Sequence, residues 1–341
     1  MSNVTLKKIA EELGISIATV SKALKGYSDV SPSTKKKVLN LAEKLHYRPN
    51  SFAQSLRNSE SKIIGLIIPE IDHDFFAKVI NGVINEASKF GYAVIVLQSN
   101  DIYDNEKAQL DLLLDKNVDG ILISLSNNTT NVDHVKEVLQ REVPLVLYDK
   151  IYKLLDCSKV IINDKKAAFD ATTHLIQTGC KRIAYVTGNL DPQTTIDRFL
   201  GYKSAIDHSH LAYDKSLIYT AENLSFDDGY QIAEQILQDH PDIDGIFAFT
   251  DIIATGVLMK LKDLNIKIPE ELSLIGFSNW FLTNVTTPKL STVNQPGFEM
   301  GCKAFQLVYQ EIQARKGTKP YEHQIVELPT QLIIRESTKT L

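Results

Sequence analysis

The sequence predicts an α/β protein in which a small all-α head precedes a body of two doubly wound lobes. Two short amphipathic patterns meet around Gly14 near the N-terminus, and from Lys62 onward apolar runs of strand length alternate with amphipathic helical stretches. Charge divides along the same line. Residues 1–60 hold ten Lys and Arg against five Asp and Glu, a net of +5, while the rest of the chain holds 27 against 37, so the overall −5 is a basic head on an acidic body. That asymmetry points to a polyanion contact confined to the head. A chain of 341 residues with 43% hydrophobic content can bury a large core and is expected to form two or three folded units.

The head is read from TLKKIAEELGISIATVSKAL, residues 5–24. Leu6, Ile9, Ala10 and Leu13 share one helical face, and Ile17, Val20 and Leu24 share another. Between them Gly14 can take the left-handed conformation of a tight turn, and Ser16 can cap the second helix. This is helix-turn-helix spacing: small Ala10 permits close approach, and Val20 locks the second helix on the first. A third helix is expected from Ser31 to about His46, with Pro32 in its first turn and Val38, Leu39, Ala42 and Leu45 facing inward. The outer side of the second helix offers Ser16, Ala18, Thr19, Ser21 and Lys22, short groups that let a helix sink into the DNA major groove. Its N-terminal amides suit a phosphate, and Lys35, Lys36 and Lys37 add charge. The domain is placed at residues 1–49.

Residues 48–58 read RPNSFAQSLRN, where a plain linker would be rich in Gly and Ser. Phe52, Ala53 and Leu56 instead stand at helical spacing behind Asn50, a candidate N-cap. Isolated helices shorter than about 12–15 residues are marginal in water, so this hinge, placed at 50–61, needs a partner to order it.

In the body, placed at 62–341, KIIGLIIP is followed by a helix through Lys89, YAVIVLQS by one from about Asn105, and DGILIS by one near Val132–Arg141. PLVLYD, KVIIND, RIAYVTG, IDGIFAFTD and LSLIGFS continue the alternation. Continuously apolar strands joined by helical crossovers form parallel sheets covered on both faces. A repeat of this length exceeds one compact unit, which predicts two lobes with a cleft between them. Ligands on such sheets bind beyond the carboxyl ends of the strands. The rule selects Ile71–Phe76, Ser124–Asn127 and Asp149 in the first lobe, and Gly188–Arg198, Thr250–Asp251 and Ser278–Trp280 in the second. Aromatic planes from Phe75, Phe76 and Trp280, carboxylates from Asp149 and Asp251, the Arg198 guanidinium and the short Ser124 and Ser278 suit a sugar; a purine or a sugar acid fits the same set.

Over its whole length the chain resembles the LacI/GalR family of bacterial transcription regulators. The resemblance is carried by VTLKKIAEELGISIATVSKALKG, then VSPSTKKKVLNLAEKLHYRPN, then SFAQSLR, in unbroken register. It implies a periplasmic-binding-protein-like body with crossings between lobes near Val160, Leu290 and Glu322, so that lobe 1 spans about 62–160 and 291–322 and lobe 2 about 161–290 and 323–341. It implies base reading by Ile17, Ala18 and Lys22, with Thr5, Leu6, Ser16, Thr19, Ser21 and Tyr47 among the other DNA contacts. Ile17 and Ala18 cannot make bidentate hydrogen bonds to a base, so operators of better-known members do not transfer. The hinge would order on operator DNA beside its twin, with Leu56 wedged between base pairs, Ala53 permitting close approach, and Asn50, Gln54 and Arg57 at the backbone or groove edges. For the ligand, the resemblance selects one of Phe75 and Phe76, then Arg198 in TIDRFLGY and Asp251 in FTDIIATG. Where many members carry Asp after the GF of LSLIGFSNW, this chain has Ser278.

No GxGxxG, P-loop, HExxH or GxSxG arrangement is present, and no nucleophile is paired with a base, so no enzymatic activity, cofactor or metal is expected. Cys157, Cys180 and Cys302 form no CxxC pair and fit a reducing compartment. MSNVTLKKIAEELGIS lacks a signal-peptide apolar segment, so a cytoplasmic, non-membrane protein is expected. The expected function is a homodimeric repressor of carbohydrate-metabolism genes, binding pseudo-palindromic double-stranded operator DNA and responding to a carbohydrate-like effector. The dimer expectation also draws on the lack of a heptad tail after QLIIRES. The other readings are a purine- or sugar-acid-responsive regulator and a cytoplasmic sugar-binding protein.

Overall fold

The computed structural model describes residues 5–47, 60–318 and 320–340. The expected hinge contacts Asn50, Ala53, Gln54, Leu56 and Arg57 lie outside the described residues. The chain divides into two compact units at Ser61/Lys62.

The first unit contains α1 (Leu6–Leu13), α2 (Ile17–Leu24) and α3 (Pro32–Lys44). The Thr5 hydroxyl accepts from the Lys8 amide at 3.3 Å, and Gly14 ends α1 in the left-handed conformation at φ 63°. Ser16 caps α2 through the Thr19 amide at 3.0 Å, and Ser31 caps α3 through the Thr34 amide at 3.2 Å. Ile9, Ala10, Val20, Ala23, Val30, Val38 and Ala42 form the core. One inward expectation is corrected: Leu39 is 50% exposed; Ile17, grouped with Val20 and Leu24 on one face, is 47% exposed. The buried face of α2 is built by Val20 and Ala23, and that of α3 by Val38 and Ala42, which leaves Leu39 about 100° around the helix from Val38.

The second unit holds two sheets of the same strand order. The first comprises β1 (Ile63–Ile68), β2 (Ala93–Gln98), β3 (Gly120–Ile123), β4 (Leu145–Tyr148), β5 (Ser158–Ile162) and β11 (Ile325–Leu328) in the order β11-β5-β4-β3-β1-β2. The second comprises β6 (Ile183–Thr187), β7 (Ile218–Thr220), β8 (Gly245–Ala248), β9 (Ser273–Ser278), β10 (Ser291–Asn294) and β12 (Gln331–Ile333) in the order β12-β10-β9-β8-β6-β7. All pairings are parallel except β10 with β12. Each order reverses next to its first strand, at β1/β3 and at β6/β8, the topological switch points where open α/β sheets take ligands.

The crossings fall a few residues later than the resemblance implies. Val160 pairs with Val326 inside the first sheet, so the chain crosses after Ile162; β10 belongs to the second sheet, so the next crossing follows Asn294 rather than Leu290; the last lies between Leu328 and Gln331 rather than near Glu322. An apolar strand reads the same whichever sheet it joins, and only its pairing fixes the lobe.

The crossover helices are α4 (Asp74–Lys89), α5 (Tyr103–Asp115) and α6 (Asp133–Gln140) on the first sheet, with α12 (Gly297–Lys316) returning to it. The second sheet carries α7 (Asp164–Gln177), α8 (Gln193–Asp207), α9 (Phe226–Asp239) and α10 (Asp251–Asp263), followed by the short α11 (Leu282–Val285). Helices α4 and α12 meet through Gly82 and Gly301. A Cβ on either would stand 2.1 Å from a carbonyl oxygen of the other helix, that of Phe298 or Val79.

Candidate functional site

On the head, Leu6, Ile17, Ala18, Ser21, Lys22, Lys25 and Tyr27 line one shallow hollow. Ile17, exposed at the start of α2, offers an apolar contact suited to a thymine methyl, and Ala18 lets the helix approach closely. Thr19 is partly engaged, since its hydroxyl meets that of Ser16 at 2.8 Å. Lys22 is paired with Asp29 from the segment after α2, an acidic neighbour that motif reading overlooks. Tyr47 packs its ring against the head core.

In the body, a cavity of about 410 Å³ opens where the carboxyl ends of both sheets converge. Phe75, Phe76, Asp149, Arg198 and Ser278 line it. Phe75 and Phe76 come from the first turn of α4, with centroids 5.1 Å apart and an interplanar angle of 68°. Asp149 follows β4 at φ 57° and Ser278 ends β9 at φ 115°; such left-handed conformations are stored at positions the surroundings over-determine. The Ser278 hydroxyl donates to Gln295 Oε1 at 2.7 Å. Burial raises the Asp149 carboxyl above its ordinary range, with Lys150 and Arg198 pulling it back.

Arg198 is the most constrained of these residues. Its guanidinium carbon lies 3.7 Å from the Phe277 ring centroid and 4.5 Å from that of Phe249. Nε donates to Asp164 Oδ1 at 2.7 Å and Nη1 to the Phe249 carbonyl at 3.0 Å. Asp164 is pushed up to about 6 by burial, against the pull of Arg198. A planar, fixed donor between two rings can present its remaining nitrogen to a hydroxyl without further ordering cost.

Three expected ligand contacts stand behind the wall. Ser124 is fully buried at the end of β3. Asp251, also fully buried, accepts from the Thr292 hydroxyl at 2.6 Å and the Trp280 amide at 2.8 Å, which pins the segment after β9 to β10. Burial pushes its carboxyl up to about 6, with the Thr292 and Trp280 bonds opposing. Trp280 meets His73 edge to face, with centroids 4.5 Å apart, and it is His73 that lines the cavity. The positive φ of Ser278 and Asn279 turns the chain so that the indole backs the wall.

His73, inside the selected stretch Ile71–Phe76, lines the cavity, and Asp101, Lys150, Glu222 and Gln295, outside every selected stretch, join it. Applying the carboxyl-end rule to β2, β7 and β10 as well finds Asp101, Glu222 and Gln295. Lys150 donates to Asp101 Oδ1 at 2.9 Å, and Asp101 also holds the Asn127 amide and side chain at 2.9 Å each. Burial drives the His73 imidazole down to about 3, so it is a neutral ring. Among the described residues, no cluster of three or more His, Cys, Asp and Glu side chains could hold a metal ion, and no helix is long and apolar enough to cross a membrane.

Residues 5–50 match the family model for bacterial regulatory proteins of the lacI family, and residues 61–336 that for periplasmic binding proteins and the sugar-binding domain of the LacI family. The chain is 35% identical to catabolite control protein A of Priestia megaterium over 99% of its own length and 100% of that protein's. It is 32% identical to the ribose operon repressor of Halalkalibacterium halodurans over 98% and 97% of the two chains. Its fold matches a lac repressor dimer bound to operator and the anti-inducer ONPF, with a TM-score of 0.88 at 21% identity over 99% and 100% of the chains. The chain belongs to the lacI family of bacterial regulatory proteins and is a DNA-binding transcription regulator.

Proposed function

We propose that this regulator is a homodimeric repressor of carbohydrate-metabolism genes, and that a small carbohydrate-like ligand in the cavity sets its operator affinity. The observation that carries the reading is the lining of the cavity from both lobes: Phe75 and Asp149 on one side, Arg198 and Ser278 on the other. A ligand touching both lobes favours one lobe angle over another by its differential contacts, and so can change what the lobes present to the head. Ring faces beside phenylalanines, with amides, hydroxyls and one fixed guanidinium around them, match a hydroxylated ring. A relative that is a ribose operon repressor supports the carbohydrate class.

On DNA, α2 is the reading element: Ile17, Ala18 and Lys22 face base edges, and Ser16, Thr19, Ser21 and Tyr47 face phosphates. By family resemblance, Leu56 is the minor-groove wedge and Asn50, Ala53, Gln54 and Arg57 flank it. A thermal-shift screen of sugars, followed by operator binding with each hit, tests the proposal. A hit raises the melting temperature, is recovered unchanged and shifts operator affinity. Ligands that bind without any effect on operator affinity would defeat it.

A further inference from the structure

We infer that the ligand of this cavity carries no phosphate or carboxylate, and that a protonated amine on its hydroxylated ring strengthens binding. This rests on the carbohydrate-like reading of the cavity and narrows its chemical class. Four carboxylates, Glu70, Asp101, Asp149 and Glu222, line the cavity against two cations, Lys150 and Arg198. Both cations are already engaged. Lys150 donates to Asp101 at 2.9 Å, and Arg198 donates to Asp164, a carboxylate behind the wall, at 2.7 Å. His73 adds no charge, because burial foremost and then Lys150, Arg198 and Lys78 hold its ring neutral.

Glu70, Asp149 and Glu222 are therefore left without an ion-pair partner among the described residues. Glu70 and Asp149 are each raised first by burial; Asp101 pushes both further up, while Lys150 opposes at both and Arg198 also at Asp149. An anionic ligand would enter this field with no unpaired cation to meet it: Lys150 is held by Asp101, and the one remaining Arg198 nitrogen belongs to a guanidinium whose charge is already balanced by Asp164. An ammonium would face three carboxyls outside any ion pair, of which Asp149 is buried and Glu70 and Glu222 stand exposed at the rim. The remaining polar lining, such as Asn100, Asn189 and Thr194, is neutral and suits hydroxyls.

The test is calorimetric titration of the full chain with matched sets of pentoses, hexoses and disaccharides: the neutral sugars, their amino counterparts, and their phosphates and uronic acids. Binding is expected only from the first two sets, with amino forms about fivefold or more tighter than their neutral parents. Asp149→Asn and Glu222→Gln should each reduce that preference. A phosphate or uronate that binds more tightly than its neutral parent, or amino forms weaker than the parent in every pair, overturns the inference while leaving the carbohydrate reading intact. If no sugar of any set binds, the carbohydrate reading fails, and this inference fails with it.

Discussion

Arg198→Met removes the cation from a buried pair while keeping much of the side chain's volume. Arg198 is 4% exposed, and its loss leaves the Asp164 carboxyl, 7% exposed, with neither charge nor hydrogen bond from that side. Breaking such a pair costs about 3–5 kcal/mol, and losing a desolvated cation between two rings adds to this by up to about 2 kcal/mol. Asp164 limits the damage: it already sits at about 6, and without Arg198 it rises further and is protonated at neutral pH. The expected net loss is about 3 kcal/mol. Adding Asp164→Asn to the same chain removes the stranded carboxyl and should recover at least about 1 kcal/mol. Urea unfolding followed by the emission of Trp280, the sole tryptophan and a residue of the same lobe, reads both values. A single variant within about 1 kcal/mol of the unsubstituted chain, or a double variant whose loss is the sum of the two singles, would refute the pairing as the reason this corner is stable.

Three further outcomes follow from the same contacts. Asp164 and Asp251 both titrate near 6 when folded, against about 3.9 unfolded, so the folded state binds more protons between those values and their contribution to stability is lost as pH rises through 6; Asp251→Asn should flatten the pH dependence of urea midpoints over pH 4.5–6.5 by about 1–3 kcal/mol, and an unchanged slope contradicts the assignment. Gly256→Ala would place a Cβ 2.0 Å from the Phe226 carbonyl oxygen where α10 meets α9, so a loss of at least about 1–3 kcal/mol is expected, and a neutral effect would show that this contact relaxes freely. Asp29→Asn frees Lys22 and removes one negative charge from the reading surface; affinity for random duplex should rise, with a salt slope steeper by up to about 1 in fluorescence anisotropy, and no change would mean that the pair is irrelevant on DNA.

The order of elements was readable because each strand is an apolar run bounded by turn residues and each helix alternates with it. IIGLII and SLIGFS announce themselves by composition alone. Which sheet a strand joins was not readable. KVII could close either lobe, and only the pairing of Val160 with Val326 and Tyr148 places it. Knowing where strands end located Phe75, Phe76, Asp149, Arg198 and Ser278 at the cavity, since the chain must emerge there. It could not say which way a side chain faces after the turn. Asp251 accepts from the backbone amide of Trp280, and Trp280 meets His73 edge to face. In the head, capping residues fixed the helix starts, but helical spacing alone could not tell the buried Val38 from the exposed Leu39 beside it.

The proposed function joins a head that reads DNA to a cavity that controls it. The most direct measurement is operator affinity of the full chain, by fluorescence anisotropy at fixed salt, with and without a sugar already shown by calorimetry to bind. The expected result is a shift of at least about fivefold, the lower end of allosteric coupling energies, and the same shift in ligand affinity when operator is present. An operator affinity indifferent to saturating ligand would contradict it.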